Sequence, residues 1–483
     1  MKKDIMTKHT KIVATLGPAS ETVEILEEMI KAGLNVARFN FSHGEYEWHE
    51  RVMENVRTAA KNVGVPVAVL ADLQGPRVRT HMAEELEIES GETIYLFDVA
   101  TKEDEIKKQA GDTKVIVLDC PKVIAELSVG HDVLIEDGLM RVRVVDLMDT
   151  YAVVDVIDGG LIKNHKGINI PDATIPLPTV TQKDYRDLEF ALAHSVDFVA
   201  LSFVRNGQDL VDLRGHMKKI IGEEETLPRI ISKIECKEAL NNLEHILGAT
   251  DAIMIARGDL GIEADSSRIT ILEKDILKKA IRHLRPVIVA TQMLASMEHN
   301  ARPTRAEVAD VTNAVVDHTD AVMLSGESSV GDFPVESVRT MAQIASETEI
   351  SPYDDVYDAM PLTFSSEETK IAHATHDFSR EMNAAAIVIY SESGYTARLL
   401  SHFRPDQTIL VVTNNIKTYN QLALAWGVQS FLCAGEESRD ECITSAIESA
   451  RDRGLIHAQD LVITVLGSTK TGKKLTLTGT RVA

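Results

Sequence analysis

Two stretches, Ile231-Ser232-Lys233-Ile234-Glu235 and Ile253-Met254-Ile255-Ala256-Arg257-Gly258-Asp259, decide the fold class of this chain. Each is typical of a buried strand whose carboxyl-terminal tip carries a carboxylate. Strands this apolar must be covered on both faces, as they are in a parallel sheet. In a parallel barrel the chemistry lies at the carboxyl ends of the strands. The two acidic tips and Lys233 therefore predict a site for a metal ion and a phosphate group.

Length and charge limit the kinds of protein that this chain can be. Its 483 residues exceed a single hydrophobic core, so two to four domains are expected. A net charge of −23 argues against nucleic-acid and anionic-membrane partners, because both need a basic surface. No apolar run approaches the roughly 20 residues of a membrane-spanning helix. We expect a cytoplasmic protein with no nucleic-acid and no membrane partner.

The four cysteines are scattered along the chain without C-x-x-C spacing. They are Cys120, Cys236, Cys433 and Cys442. This spacing predicts neither a zinc site nor a disulfide framework, and it agrees with a reducing compartment.

Eight short apolar runs alternate with helix-period stretches and predict a closed (β/α)8 TIM barrel. The first predicted helix begins at Ser20 as its N-cap and ends at Gly33. Thr304 and Glu307 predict a capping box for a later helix. The eight predicted strands are Ile12–Leu16, Val36–Phe41, Val67–Leu73, Phe198–Phe203, Ile230–Glu235, Ala252–Asp259, Val287–Met293 and Ala321–Ser325.

The interval between Leu73 and Phe198 departs from this alternation, because it has β-type patterning and little helical periodicity. It predicts a small β-barrel-like domain inserted in a barrel loop. After about residue 350 a second α/β pattern predicts a smaller open α/β domain, reached through a linker at 351–355. The predicted division is 1–81 and 166–348 for the barrel, 82–165 for the insert and 349–483 for the C-terminal domain.

Polar residues also follow the second and third predicted strands. Arg38, Asn40 and Ser42 share one face of the second strand, where a polar face is costly unless it lines a site. Asp72 ends the third strand, and the turn after it carries Arg77 and Arg79, which suit phosphate.

Two loops in the C-terminal part are candidates for binding a phosphorylated regulator. Residues 467–474 nearly match a P-loop, but Lys474 stands where Ser or Thr would hold Mg²⁺, so we reject a nucleotide P-loop. The other loop is rich in hydroxyls and precedes a predicted helix; an N-capping turn explains it equally well. Its residues are Ser391, Ser393, Gly394, Tyr395 and Thr396.

Taken together, the short motifs of this chain resemble the pyruvate kinase family, in order and over essentially the whole length. The resemblance implies a barrel, an inserted β domain after the third strand, an α/β C-terminal domain and a homotetramer. The strings that carry it are 10–19 (TKIVATLGPA), 38–44 (RFNFSHG), 166–169 (KGIN), 232–235 (SKIE), 256–261 (ARGDLG), 290–294 (ATQML), 303–307 (PTRAE) and 323–327 (MLSGE).

The resemblance implies a glycolytic transfer of the phosphoryl group of phosphoenolpyruvate to ADP, which gives pyruvate and ATP. It makes Glu235 and Asp259 the ligands of Mg²⁺ or Mn²⁺. A phosphoryl group in flight needs positioning and charge cancellation, and Lys233 would supply the charge. The implied catalytic set is Lys233, Arg38 and Thr291, and the substrate set is Arg38, Lys233, Ala256, Arg257, Gly258, Asp259 and Thr291. Candidates for the proton path to the enolate are Thr291, Ser325 and Glu327.

The nucleotide and monovalent-cation residues also come from the resemblance. His43, Arg79 and Lys166 would face ADP or ATP. Asn40, Ser42 and Asp72 would ligate K⁺ in the form of the family that needs it, which has Glu where this chain has Arg77. Because a guanidinium supplies a permanent positive charge, we expect that K⁺ is not required.

Two other functions share part of this residue pattern. A Mg²⁺-dependent lyase or aldolase that acts through a pyruvate enolate would share Glu235 and Asp259, but it would not need an inserted domain or the basic residues Arg38, Arg79 and Lys166. A non-catalytic sensor of sugar phosphates would show damage in the catalytic set, and the sequence shows none.

Overall fold

The structure, a computed structural model, describes residues 8–173, 175, 177–222, 226–264, 266–353, 366–433, 437–466 and 476–483. The predicted basic loop 467–474 and the last two residues of the predicted linker 351–355 lie outside these ranges. Among the described residues, no helix combines the length and the apolar character needed to cross a membrane.

The strands of the described residues fall into a barrel, an inserted sheet system and a C-terminal sheet. In chain order they are β1 (Lys11–Thr15), β2 (Val36–Asn40), β3 (Ala68–Asp72), β4 (Val78–Arg79), β5 (Leu86–Ile88), β6 (Thr93–Asp98), β7 (Val115–Leu118), β8 (Asp132–Ile135), β9 (Met140–Leu147), β10 (Tyr151–Asp158), β11 (Gly160–Ile162), β12 (Gly167–Asn169), β13 (Phe198–Leu201), β14 (Arg229–Ile234), β15 (Ala252–Ala256), β16 (Val287–Ala290), β17 (Ala321–Leu324), β18 (Ala386–Tyr390), β19 (Thr408–Thr413), β20 (Val428–Leu432), β21 (Leu461–Leu466) and β22 (Thr476–Arg481).

The helices mostly alternate with the strands of the barrel and of the C-terminal sheet. They are α1 (Val23–Ala32), α2 (Tyr46–Val63), α3 (Glu103–Ala110), α4 (Gln182–Ala193), α5 (Gly207–Ile221), α6 (Lys237–Asn241), α7 (Leu243–Ala249), α8 (Arg257–Glu263), α9 (Ile269–Arg282), α10 (Arg305–Val316), α11 (Gly326–Ser329), α12 (Pro334–Glu349), α13 (Glu367–Glu381), α14 (Tyr395–Ser401), α15 (Ile416–Gln421) and α16 (Arg439–Asp452).

The barrel is closed and parallel, with β1, β2, β3 and β13 to β17 following one another around it. This confirms the predicted barrel: six of its strands lie within the predicted apolar runs, and β1 and β14 each begin one residue before theirs, at Lys11 and Arg229. Inward-facing residues such as Val13, Leu70 and Met254 fill its interior, and Ala423 and Leu424 of the C-terminal part join the same cluster. The barrel is therefore a packed core whose lower end is closed by the C-terminal domain.

The structure tests the helix boundaries that the sequence predicted. The predicted N-cap at Ser20 is wrong: Ser20 belongs to a buried 3₁₀ turn, Pro18–Ser20, and the side chain of Thr22 caps α1 instead. The predicted end at Gly33 is confirmed, because Gly33 takes the left-handed conformation, with φ of 119°, that stops a helix. The capping box of Thr304 and Glu307 is also confirmed at the start of α10.

The insert contains a seven-stranded sheet, in the order β4-β12-β8-β9-β10-β6-β7, and a separate antiparallel pair of β5 and β11. A bridge between Thr80, which follows β4, and Leu118 of β7 joins the two edges, so the sheet is barrel-like as predicted. β4 and β12 lie just outside 82–165, and the domain limits remain predictions. The short helix α3 is a further difference, since its sequence is polar and has almost no buried face.

The C-terminal domain is an open α/β sheet in the order β20-β19-β18-β21-β22, parallel except for β22. It contacts the barrel directly: the ammonium of Lys11, a residue only 2% exposed, donates to the carbonyl of Val428 over 2.7 Å. The cysteine spacing predicted no disulfide framework, but the structure contains one disulfide bond, between Cys433 and Cys442, whose Cα atoms are 5.5 Å apart. The fold places the end of β20 beside the first turn of α16, a proximity that cysteine spacing does not reveal.

Candidate active site

Four charged side chains meet inside the mouth of the barrel, at the carboxyl ends of β2, β3 and β14. Nε of Arg38 donates to Oδ2 of Asp72 over 2.7 Å. Nζ of Lys233 lies 3.3 Å from the other oxygen of Asp72 and 3.0 Å from Oε1 of Glu235. Asp72 and Glu235 are each 1% exposed. The predicted convergence of Lys233 and Glu235 is present, and Asp72 lies between the two cations.

Two uncharged hydroxyls hold the cations in place, and the sequence reading missed both. Nζ of Lys233 donates to Oγ of Ser202 over 2.8 Å, and that hydroxyl donates to the carbonyl of Leu73. Nη1 of Arg38 donates to Oγ1 of Thr15 over 2.7 Å. Ser202 follows β13 and Thr15 ends β1, so their positions at strand ends are the signal that could have found them.

Burial and charge act against each other on these groups. Burial disfavours the ammonium of Lys233, but Asp72 and Glu235 outweigh it and raise the Lys233 pKa. Burial also opposes the charged form of Asp72, and the two cations outweigh that effect, so the Asp72 pKa is lowered. For Glu235 burial prevails: together with the like charge of Asp259 it raises the pKa, although Lys233 partly offsets it.

The sequence predicted that Asp259 lies at the tip of a strand, and this prediction is wrong. β15 ends at Ala256, and Asp259 is the third residue of α8, because the chain turns into the helix at Arg257. The amide of Gly258 donates to Oγ1 of Thr291 over 2.9 Å. Thr291 itself has a φ of 70°, so it turns sharply at the end of β16 and brings its hydroxyl to the start of α8.

The side chain of Arg257 is used elsewhere. Its guanidinium pairs with Asp310 at 2.7 Å, approaches Glu273 at 3.5 Å and donates to the carbonyl of Thr291. These contacts bind α8 to α9 and α10. In this arrangement the main chain of Arg257, and not its side chain, is therefore the part that a ligand could contact.

The predicted nucleotide residues come from two parts of the molecule. His43 is exposed in the loop after β2 of the barrel. Arg79 lies in β4, opposite Gly167 of β12, and Lys166 directly precedes that glycine. The ammonium of Lys166 pairs with Glu136 of the insert. Two of the three candidates thus belong to the sheet of the insert, and the third belongs to the barrel.

Asn40, Ser42 and Asp72 lie at the ends of β2 and β3, and Oδ1 of Asn40 accepts the amide of Ser42 over 3.1 Å. The guanidinium of Arg77 donates to Oδ1 of Asp137 over 2.6 Å. It also lies against Gly167, where a Cβ atom would meet it at 2.6 Å. Arg77 therefore contacts the insert in this arrangement.

The candidate effector loop joins β18 to α14. The amide of Gly394 donates to Oγ of Ser391 over 3.0 Å, and Gly394 has a φ of 70°. The amide of Tyr395 lies 3.4 Å from Oγ of Ser393, and Thr396 is the second residue of α14. The carbonyl of Ser393 accepts hydrogen bonds from two arginines, which are described further below.

The chemistry of Glu235 and Asp259 fits a divalent metal. Both are carboxylates, they interact electrostatically, and their like charges raise the cost of keeping both ionised next to each other. Oε2 of Glu235 accepts the amide of Phe203 over 2.7 Å, which orients the carboxylate. Mg²⁺ prefers one or two such ligands and takes substrate oxygens and water for the rest.

Comparisons with known proteins agree with this geometry. The family model for the pyruvate kinase barrel domain matches residues 7–338, and the model for the pyruvate kinase alpha/beta domain matches residues 369–477. The chain belongs to the pyruvate kinase family. It is 39% identical to a pyruvate kinase of Geobacillus stearothermophilus, over 96% of this chain and 78% of that protein. It is 37% identical to one of Staphylococcus aureus strain MRSA252, over 95% and 78%.

A solved structure gives the same result at the level of the fold. The crystal structure of a pyruvate kinase from Cryptosporidium parvum superposes with a TM-score of 0.91 at 33% identity, and covers 100% of this chain and 98% of that one. The activity is therefore that of a phosphotransferase, a pyruvate kinase with a family-wide dependence on metal ions. The comparisons give no support to the lyase or aldolase alternative.

We predict that Asp72→Asn destabilises the protein, because it leaves two buried cations facing each other. Breaking one partner of a buried ion pair costs about 3 kcal/mol. The midpoint of thermal unfolding, measured by scanning calorimetry, should fall by several degrees. Asp132→Asn is the matched control, since Asp132 pairs with Arg143 on the surface of the insert at 2.7 Å. Equal shifts for the two variants would contradict the role assigned to Asp72.

Proposed function

We propose that Lys233, Arg38 and Thr291 carry the transfer of the phosphoryl group of phosphoenolpyruvate to ADP. The observation that supports this is the position of the Lys233 ammonium, which Asp72, Glu235 and Ser202 hold at the carboxyl end of β14. Its raised pKa keeps it protonated. A permanently charged group at a fixed position is what a loose phosphoryl transition state requires.

The substrate's two ends are assigned to two sides of the mouth. On one side Arg38, oriented by Asp72 and Thr15, binds the phosphate with its guanidinium. On the other side the main chain of 256–259 and the hydroxyl of Thr291 hold the carboxylate. The contact between the Gly258 amide and Thr291 supports this, because it shows the two groups converging.

Glu235 and Asp259 are proposed as the protein ligands of Mg²⁺, or of Mn²⁺ in its place. A divalent ion supplies Lewis-acid stabilisation of the negative charge that develops on substrate oxygens. The residues themselves orient the site: the Phe203 amide fixes one oxygen of Glu235, and Lys233 holds the other.

After transfer, the enolate must take up a proton. Thr291 and Ser325 are the better candidates for delivering it. The carboxylate of Glu327 accepts the amides of Leu294 over 3.1 Å and of Ser325 over 2.7 Å. Through these bonds Glu327 holds the loops after β16 and β17 together.

His43, Arg79 and Lys166 are proposed to bind the nucleotide. Arg79 and Lys166 belong to the insert's sheet, and His43 belongs to the barrel, so a nucleotide that contacts all three draws the insert toward the barrel mouth. Closure of this kind excludes water from the phosphoryl group. The Lys166–Glu136 pair must open or rearrange for Lys166 to reach a phosphate.

The remaining features are proposed from the sequence and the family. They are a homotetramer, a cytoplasmic location, independence of K⁺, and a phosphorylated effector that binds near Ser391, Ser393, Gly394, Tyr395 and Thr396. The net charge of −23 does not exclude anionic substrates, because a local cluster of cations can lie within an acidic protein.

We predict that Lys233→Met lowers kcat about 10³-fold, with a change in the KM for phosphoenolpyruvate of less than about tenfold. The physical reason is that the lost charge acts mainly on the transition state. The measurement is a coupled assay of pyruvate and ATP formation from phosphoenolpyruvate and ADP. Lys237→Met is the control. Lys237 begins α6, the helix after β14, and it pairs with Asp172 at 2.7 Å. A wild type without this activity would refute the proposed function, and near-normal turnover in Lys233→Met would refute the role of Lys233.

We predict that K⁺ changes the activity of the wild type less than about twofold, because Arg77 supplies a permanent positive charge near the third strand. The assay uses salts free of Na⁺ and K⁺, with K⁺ added back. Arg77→Glu should become responsive to K⁺. Arg143→Glu, which removes a surface arginine of the insert, should not. Strong K⁺ activation of the wild type would contradict the prediction.

A further inference from the structure

Three arginines that interact electrostatically lie at the lower end of the barrel, opposite the candidate active site. Arg229 is the first residue of β14, and Arg285 comes shortly before β16, so both lie at amino ends of barrel strands. Arg398 lies on α14 of the C-terminal domain. Lys233 stands four residues after Arg229 along β14, which corresponds to about 13 Å of extended strand. The cluster is therefore separate from the phosphate-binding residues of the barrel mouth.

A single main-chain oxygen connects two of the three arginines. Nη2 of Arg229 donates to the carbonyl of Ser393 over 3.3 Å, and Nη1 of Arg398 donates to the same carbonyl over 3.1 Å. Nε of Arg229 also bonds Gln421 at 3.0 Å, and Nε of Arg285 bonds the carbonyl of Leu247 at 2.9 Å. Two guanidinium groups that would repel each other thus share one neutral acceptor.

The charges around these arginines do not balance. The carboxylate that interacts with all three is Asp251, which already pairs with Arg214 at 2.8 Å and accepts the amide of Ile230. Arg229 reaches Asp251 only at 3.7 Å. Among the described residues, no carboxylate lies within ion-pair distance of Arg285 or Arg398. Four guanidinium groups therefore face one carboxylate.

The pKa values reflect this excess of positive charge. Burial, followed by the positive charges of Arg229 and Arg285, lowers the pKa of Arg398 to about 9. Burial likewise lowers the pKa of Arg229 and of Arg285, and Asp251 only partly offsets it. The side chain of Tyr395, which begins the helix that carries Arg398, also interacts electrostatically with Arg398 and Arg285. Partly buried charges of one sign are costly unless a counter-ion joins them.

We propose that Arg229, Arg285 and Arg398 form a binding site for a phosphate group between the lower end of the barrel and the C-terminal domain. Planar guanidinium groups match the geometry of phosphate oxygens, and a dianion would neutralise the unpaired charge. The ligand is either free phosphate or a phosphomonoester, since both carry the group that the arginines recognise.

The site gives the candidate effector loop a physical connection to catalysis. Ser393 belongs to that loop, and Arg229 begins the strand that carries Lys233 near its other end. A phosphate held by arginines from both domains would fix the loop against β14. This consequence rests on the proposed function, whereas the binding itself does not.

The test measures thermal unfolding of the full-length protein with inorganic phosphate or glycerol 3-phosphate, against NaCl of equal ionic strength. At ten times Kd, phosphate should raise the wild-type midpoint by roughly 2 °C more than NaCl does. Arg398→Gln and Arg285→Gln should lose most of this shift, with at least about tenfold weaker binding by calorimetry. Arg380→Gln, at an exposed position of α13, is the matched control and should keep it.

The variants also give a second readout. Without phosphate, Arg398→Gln should unfold at a midpoint no lower than that of the wild type, because it removes repulsion. A lower midpoint, or the same phosphate-dependent shift in wild type and both variants, would overturn the proposal. A shift with glycerol 3-phosphate alone identifies a phosphomonoester as the ligand, and no shift with either probe overturns the site. Phosphate binding is measured here without catalysis. Turnover measured on the same samples therefore tests the proposed function separately from the phosphate site.

Discussion

The ammonium of Lys233 and the carboxylates of Asp72 and Glu235 stabilise one another inside the mouth of a closed barrel. Each would be costly to bury alone, since an unpaired charge in a water-poor interior loses its solvation. Together with Arg38 they form a chain of alternating charge, in the order Arg38, Asp72, Lys233 and Glu235. This alternation permits the two cations proposed for phosphate and the carboxylate of Glu235, a proposed metal ligand, to lie close together.

The rest of the fold serves to hold this arrangement. The parallel sheet closes on itself, so the ends of β2, β3, β14 and the start of α8 face the same opening. The hydroxyls of Thr15 and Ser202, from two further strands, fix the positions of the cations. Below, the C-terminal domain covers the barrel interior, and its loop at Ser393 meets the arginines at the other end of β14. One strand thus connects the active site with the proposed phosphate site.

The features that could be predicted from the sequence depend on residues that are close together along the chain. The apolar runs, the i, i+2 spacing of Lys233 and Glu235, Gly33 and the Thr304 capping box each follow from short-range rules. Asp72 was assigned only to K⁺, because its contact with Lys233 crosses two strand boundaries and depends on barrel closure. The Cys433–Cys442 bond, the side-chain direction of Arg257 and the cluster of Arg229, Arg285 and Arg398 likewise depend on packing between distant segments. Asp259 was misplaced because β15 passes directly into α8 with no loop between them.

The most direct test of the charge arrangement is Mn²⁺ binding, measured by electron paramagnetic resonance in the wild type, in Glu235→Gln and in Glu238→Gln. Glu238 lies three residues further on, in α6, and serves as the control. We expect Glu235→Gln to bind Mn²⁺ at least about tenfold more weakly and the control to bind it as the wild type does. An unchanged dissociation constant in Glu235→Gln would contradict the account.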